Sequence, residues 1–329
     1  MPRSTREVSE RRRAVVTGAF GFVGLTICRG LARAGFDVTG VDRSDPSAIA
    51  TRFLGLEAER IQPLIGDVRD SAWQAATGRP DLLVHAAALT PLGKDEEVER
   101  ASDAVAVNVG GMVEVMRWAA RVRPRRIVHL SSGSVYGTGL GLRRLNEDAA
   151  HDPVSLYGVT KSAGERVARR LADRTGLDLI VARPTYVYGP MERPSTARSV
   201  MSHIHDWCLA AHEGRVIEAS DLGRRRDYTH VDDIAEAVLR LALLPRPRFR
   251  TFNLSTGVAV RLSTVLRLVL EEFPGSVVTH VPDRMGRRDT RPAMDSNRLE
   301  RGLGWRPRMT LRQGIRLQAD WLRSLSPGL

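Results

Sequence analysis

Lysine is almost missing from this sequence. Of 50 basic residues only Lys94 and Lys161 are lysine, and all the others are arginine. Abundant Ala and Gly accompany the skew, as a coding bias towards Arg would produce. If any cation served at position 161, Arg would be the expected choice there. A compact ammonium on a flexible stem is not chemically equivalent to a planar guanidinium, so Lys161 stands out. Cysteine is scarce too. Cys28 and Cys208 both lie in apolar helical patterns, which points to buried thiols rather than a disulfide framework. No apolar run is long enough to span a bilayer. Residues 1–13 are polar and charged and lack the apolar segment of a secretory signal. They predict a short disordered basic tail on a cytoplasmic protein.

What is present is ordinary for a soluble globular chain. The 329 residues are 42% hydrophobic and 27% charged, enough for a nucleotide-binding domain and a smaller second region. A net charge of +12 raises the question of nucleic acid. The arginines are scattered, however, apart from Arg11–Arg13 and Arg224–Arg226. A solvated basic surface is the simpler reading, with neither nucleic acid nor membrane as partner.

The first half alternates short β-rich runs with helical patterns. Strands are predicted at 14–17, 38–41, 61–65, 82–85, 127–130 and 179–182. Helices are predicted near 22–34, 101–121 and 155–175. Alternation at this spacing implies βαβ units and an α/β fold with a doubly wound parallel sheet. Residues 185–225 show no clear alternation. An apolar helix over 231–244 and a strand at 251–255 follow, then helices near 263–273, 296–302 and 311–322 with a strand at 277–280. The expected division is a Rossmann core over 14–184, rejoined by 226–256. A smaller α+β substrate-binding region is expected from 185–225 and 257–329, on the C-terminal side.

Gly18, Gly21 and Gly24 follow the first strand and open a helix at Phe22. Glycines there permit a tight turn and close backbone approach to a pyrophosphate, which the helix N-terminus favours. The second strand ends in Asp42, placed to accept both ribose hydroxyls of adenosine and to repel a 2′-phosphate, which favours NAD. Arg43 follows and offers the opposite preference. Asp67 and Val68, after the third strand, stand near the expected adenine, with capping of its own loop as the alternative for Asp67. Ala86 and Ala87 end the fourth strand with room for a dinucleotide. Ser132 ends the fifth strand. Tyr157 and Lys161, four apart, share one face of the helix that follows. A phenol is a poor base at neutral pH, and a neighbouring ammonium stabilises the phenolate. Lys161 can also reach the nicotinamide ribose, and Ser132 can orient the reacting hydroxyl. No metal is expected, since His203, His205, Asp206 and His212 read as an exposed polar helix edge. Asp232 and Asp233 read as caps of the helix after them.

Taken together these residues resemble the extended short-chain dehydrogenase/reductases of the NAD-dependent epimerase/dehydratase group, typified by nucleotide-sugar 4-epimerases. The resemblance covers nearly the whole chain after residue 13. It includes Asn108, the run from Ser131 to Gly137, Arg183–Pro190, the segment Arg226–Asp233 and Leu303–Pro307. It implies that Ser132, Tyr157 and Lys161 are the catalytic set and that Asn108 lies behind the cofactor. It also implies that Arg226 meets a substrate phosphate, with Thr90, Ser134, Tyr186 and Arg288 beside the substrate, and that the protein is a homodimer. Three departures qualify it. Tyr186 stands where the sugar-nucleotide enzymes commonly carry Asn. The late diphosphate-binding arginine has no clean counterpart, Arg287 and Arg288 being the nearest. Gly133-Ser134 replaces the Asp-Glu pair of the 4,6-dehydratases, so elimination of water is not expected. Three functions remain open: epimerisation of a nucleotide sugar, net dehydrogenation of a non-nucleotide sugar or alcohol, and non-catalytic NAD binding. The intact Ser132, Tyr157 and Lys161 set disfavours the last.

Overall fold

The computed structural model describes residues 12–90, 96–138, 143–282 and 291–325. The tail up to residue 11, Lys94, Arg287 and Arg288 lie outside the described residues. Seven strands form one parallel sheet. They are β1 (Arg13–Thr17), β2 (Asp37–Asp42), β3 (Ile61–Ile65), β4 (Leu82–His85), β5 (Arg126–Leu130), β6 (Leu179–Pro184) and, much later, β10 (Thr251–Leu254). Their spatial order is β10-β6-β5-β4-β1-β2-β3. The order reverses at β1, which pairs with β2 on one side and β4 on the other. Ligands of open parallel sheets bind in the crevice at such a point, outside the carboxyl ends of the strands.

The central strands read as unbroken apolar runs because both faces are covered. Helices Phe22–Arg33 and Val231–Leu243 close one face, with Leu25, Leu31, Ile234 and Leu241 packed on Val16, Val84 and Val128. Helices Gly111–Val122 and Leu156–Thr175 close the other, with Val115, Trp118 and Ala168 on Val15, Leu83 and Ile127. Both cysteines are free and buried. The helical stretch from Ala101 to Val122 is not one regular helix. It widens into a π-turn at Ala106–Gly110, which turns Asn108 into the interior. Such turns recur where a helix bends for a functional side chain.

Residues 185–225, which carry no clear pattern in the sequence, hold β7 (Tyr186–Tyr188), helix His203–His212 and β8 (Ile217–Ala219). The strands have three residues each, too short for periodicity to register. β7 pairs with β9 (Arg225–His230), which pairs in turn with β11 (Ala259–Arg261). β8 pairs with β12 (Val278–His280). Helices His203–His212, Leu262–Glu272 and Leu311–Ser324 pack on these strands around Trp207, Val265 and Ile315. Two capping expectations change. The cap of helix Val231–Leu243 is His230, whose ring accepts from the Asp232 amide at 3.2 Å. Asp233 instead accepts the amides of Arg308 and Met309, and Asp232 pairs with Arg29.

Gly24 shows how little room the first turn leaves. A Cβ on it would stand 1.9 Å from the Gly18 carbonyl oxygen. Gly24→Ala should therefore lower the free energy of unfolding by at least about 1–3 kcal/mol, the usual cost of an overpacked methyl. Urea denaturation checks this, and an unchanged midpoint would refute the tight packing.

Candidate active site

The glycine turn is pressed against the end of β4. Gly18 has φ +68°, and a Cβ there would lie 2.6 Å from the Ala87 backbone. Gly21 precedes helix Phe22–Arg33 without any side-chain cap, so the first amides of that helix face the crevice unclaimed by a side chain. Free amides at a helix start suit an anionic pyrophosphate. Asp42 closes the other side. One carboxylate oxygen accepts the Phe20 amide at 2.9 Å and the other the Arg43 amide at 2.8 Å. Asp67 is held by Arg69, through its guanidinium at 2.7 Å and 3.0 Å and its amide at 2.9 Å. Those bonds hold its carboxyl below the usual range despite partial burial. Val68 is buried beneath it against Gly111. These residues fit a dinucleotide lying from Asp42 past the glycine turn.

Asn108 spends its whole amide on the surrounding frame. It binds the Leu89 amide and carbonyl at 2.8 Å and 3.0 Å and the Thr160 hydroxyl at 2.9 Å. It thereby ties the loop after β4 to the helix carrying Tyr157.

Ser155 caps helix Leu156–Thr175, which places Tyr157 at its mouth and Lys161 one turn deeper. Ser132 caps the short turn Gly133–Tyr136, accepting the Ser134 amide at 3.1 Å. Burial raises the Tyr157 phenol above its ordinary pKa. A hydrogen bond with Ser132 and the positive charges of Arg198 and Arg291 act the other way. Lys161 is buried, and its ammonium donates to the Leu130 carbonyl at 2.6 Å. Burial pulls its pKa down to about 8, against the opposing pull of Glu165. The structure thus brings Ser132 to Tyr157, while Lys161 is anchored at the end of β5 beneath them.

Gly133 gives the departure from the dehydratase pattern a physical basis. A Cβ there would stand 2.4 Å from the Met294 sulfur. No acid could be accommodated at that position without moving Met294.

On the substrate side, Tyr186 lies between two guanidiniums. The Arg226 and Arg291 carbons stand 5.0 Å and 4.7 Å from its ring centre. Arg226 is almost fully buried. Arg224 is also buried and paired with Asp221 at 2.9 Å, so it is not one of the solvated arginines the sequence suggested. Thr90 donates both its amide and its hydroxyl to the Ala197 carbonyl. Of the polar helix edge, Asp206 and His212 are exposed as expected and His203 is half-buried, but His205 is not. His205 is buried and bonds Asp206 at 2.9 Å. Among the described residues no three His, Cys, Asp or Glu side chains could hold a metal ion, and no helix is long and apolar enough to cross a membrane.

Residues 14–255 match the NAD dependent epimerase/dehydratase family. The chain belongs to that family. It is an NAD-dependent enzyme of the extended short-chain dehydrogenase/reductase type. It is 29% identical to a UDP-glucose 4-epimerase of Mycolicibacterium smegmatis over 95% of this chain and 99% of that one. It is 26% identical to a probable UDP-glucuronate 4-epimerase of Rhizobium meliloti over 94% and 96%. Among solved structures it resembles a Thermus thermophilus UDP-glucose 4-epimerase in complex with NAD, with a TM-score of 0.82 and 26% identity over 95% and 100% of the two chains.

Sequence reasoning missed Arg198, Arg291, Arg193 and Glu165. In a chain with so many arginines, one more carries no signal. Glu165 could have been found, since it lies one helical turn beyond Lys161 on the same face.

The scarcity of lysine gives a direct test of the buried ammonium. Protein labelled only at lysine should show two ε resonances, one titrating near pH 8 and disappearing in Lys161→Met. The ordinary lysine value is about 10.4. A Lys161 resonance that titrates there instead would refute the dry environment.

Proposed function

We propose that the protein epimerises a nucleoside-diphosphate sugar through a transient keto intermediate. The observation that carries this reading is the hydrogen bond between Ser132, just past the carboxyl end of β5, and Tyr157 at the mouth of the helix that follows. When bound, NAD supplies a hydride acceptor at the sugar carbon and a donor to the opposite face of the ketone. Tyr157 takes the hydroxyl proton and later returns it. Ser132 holds that hydroxyl against the phenol. The guanidiniums of Arg198 and Arg291 favour the phenolate in a site where burial opposes it, and the ammonium of Lys161 would hold the nicotinamide ribose. Asp42 accepts the adenosine ribose, which favours NAD over NADP, and Asp67 with Val68 borders the adenine. Arg226 meets the diphosphate, with Thr90, Ser134 and Tyr186 around the sugar. Arg288, assigned the same task by resemblance, lies outside the described residues. Gly133-Ser134 in place of an acid pair, with the Met294 sulfur filling the space beside Gly133, argues against 4,6-dehydration.

Net dehydrogenation of a sugar or alcohol without a nucleotide is the second reading. Tyr186 in place of the usual Asn favours it. Incubation with UDP- or dTDP-hexoses should give epimer exchange without accumulation of NADH. Tyr157→Phe should abolish that exchange while leaving NAD affinity within about twofold, because only the hydroxyl does chemistry. Accumulating NADH with no epimer formed would select the second reading, and an active Tyr157→Phe would remove Tyr157 as base.

The second copy expected of the assembly would pack on helix Leu156–Thr175 and the stretch from Ala101 to Val122. Val105 and Val159 are 49% and 47% exposed there. Ala163 extends the stripe, half-buried, whereas Val167 and Leu171 further along pack on the protein's own core. We infer a homodimer across this face, in a cytoplasmic enzyme. Light scattering at micromolar concentration should give twice the chain mass, and Val159→Asp should shift it towards one.

A further inference from the structure

The stretch 191–202 crosses the cofactor crevice along its length, and it is tied down at both walls. Past β4, Thr90 donates its amide at 2.8 Å and its hydroxyl at 3.0 Å to the Ala197 carbonyl. Past β2, Arg43 donates to the Thr196 hydroxyl at 3.2 Å. Half-buried Arg193 stands within electrostatic range of Asp42. The Arg198 guanidinium lies over the Phe22 ring, 5.5 Å from its centre, at the start of the helix that follows the glycine turn. It also acts on the Tyr157 phenol. The stretch therefore passes Asp42, the helix start and Tyr157. These are the places a dinucleotide reading assigns to adenosine, pyrophosphate and nicotinamide.

Arg198 is fixed from behind. Its Nη2 donates to Glu192 at 2.5 Å. Glu192 is buried, and its carboxylate accepts the Ser202 amide at 2.8 Å and hydroxyl at 2.7 Å. Arg198 Nε is shut off from solvent and has no hydrogen-bond partner. A buried guanidinium N–H without an acceptor is costly, and an anion at the uncapped helix start would supply one.

We propose that residues 191–202 are a strap that keeps NAD in place between turnovers, with Arg198 as a further cofactor ligand at the pyrophosphate. This rests on the reading of the crevice as the NAD site. It also deepens the proposed reaction, because an epimerase returns its hydride and has no need to exchange the dinucleotide. A net dehydrogenase must release it in every cycle.

The experiment loads the full-length protein with isotopically labelled NAD and chases with unlabelled NAD, reading release of the label. Three variants are compared with the wild type. Arg198→Gln removes the cation, Glu192→Gln frees its anchor, and Thr90→Val removes one tie at constant shape. Thermal unfolding of the NAD-free proteins reports on the fold of each. The wild type should hold its label through gel filtration. Arg198→Gln and Glu192→Gln should release it about 10- to 100-fold faster, the effect of losing one charge-assisted bond, and Thr90→Val about 2- to 10-fold faster, the effect of losing one neutral bond while its amide still holds Ala197. Thr90→Val, the mildest change, keeps the test valid should Arg198→Gln fold poorly. Equal release rates from the wild type and Thr90→Val would overturn the strap and leave the NAD site standing. A wild type that takes up no NAD at all would overturn the site itself, and the strap with it.

Discussion

The active site depends on one buried ion pair. Arg183 at the end of β6 donates to Glu165 on the helix that carries Tyr157 and Lys161, through Nε at 3.0 Å and Nη2 at 2.5 Å. Both side chains are almost fully buried. A pair in a dry interior holds only when its remaining donors and acceptors are satisfied. Here they are. Arg183 also reaches the Tyr136 hydroxyl at 2.7 Å, the Glu147 carbonyl at 3.1 Å and the His151 ring at 2.8 Å. Glu165 also takes Arg169 at 2.9 Å. Burial alone would raise the Glu165 carboxyl, yet the two arginines hold it well below the usual range. Tyr136 ends the turn that Ser132 begins, and its hydroxyl donates to Asn253 in β10 at 2.7 Å. Ser132 and Tyr157 therefore reach the site on separate elements that are both referenced to one cation. Removing Glu165 would leave the Arg183 guanidinium buried without its carboxylate, a cost of about 3–5 kcal/mol, while Glu165 without Arg183 would keep Arg169.

The opposite wall is set by absence of side chains rather than by charge. Gly18 brings the first turn onto the Ala87 backbone, and Gly158 does the same for the catalytic helix, where a Cβ would stand 2.7 Å from the Ser134 carbonyl oxygen. Asn108 then fixes the gap between the loop after β4 and Thr160. The width of the crevice is thus defined by backbone contacts on one side and by a fully bonded amide and ion pair on the other.

Much of this architecture is legible in the amino-acid sequence. The parallel strands read directly because strands buried on both faces are continuous apolar runs. The glycine turn and the Tyr157/Lys161 spacing are local patterns, readable without knowing their tertiary partners. The region from 185 to 225 does not read, because β7 and β8 take their partners from β9 and β12, which come later in the chain. The π-turn at Asn108 is invisible for a related reason: helical periodicity continues through it. The Asp232–Asp233 pair looks like a cap and is not one. The His230 ring just before it does that work and frees Asp233 to bind a distant loop.

The composition also bears on how the site is charged. Two guanidiniums act on the phenol and one ammonium lies a helical turn deeper, and they are not interchangeable. Lys161 sits under β5 with its charge weakened by burial, pointed at a carbonyl. Arginine in that slot would bring a charge that cannot be shed and a fork too wide for one acceptor. The outer positions ask for the reverse. At Tyr186 the flat guanidiniums of Arg226 and Arg291 lie near an aromatic ring, a contact that suits their planar shape. A chain biased so strongly towards arginine can build the outer ring from its common residue. The inner position is where the bias had to be overruled, and that is where one of its two lysines is found.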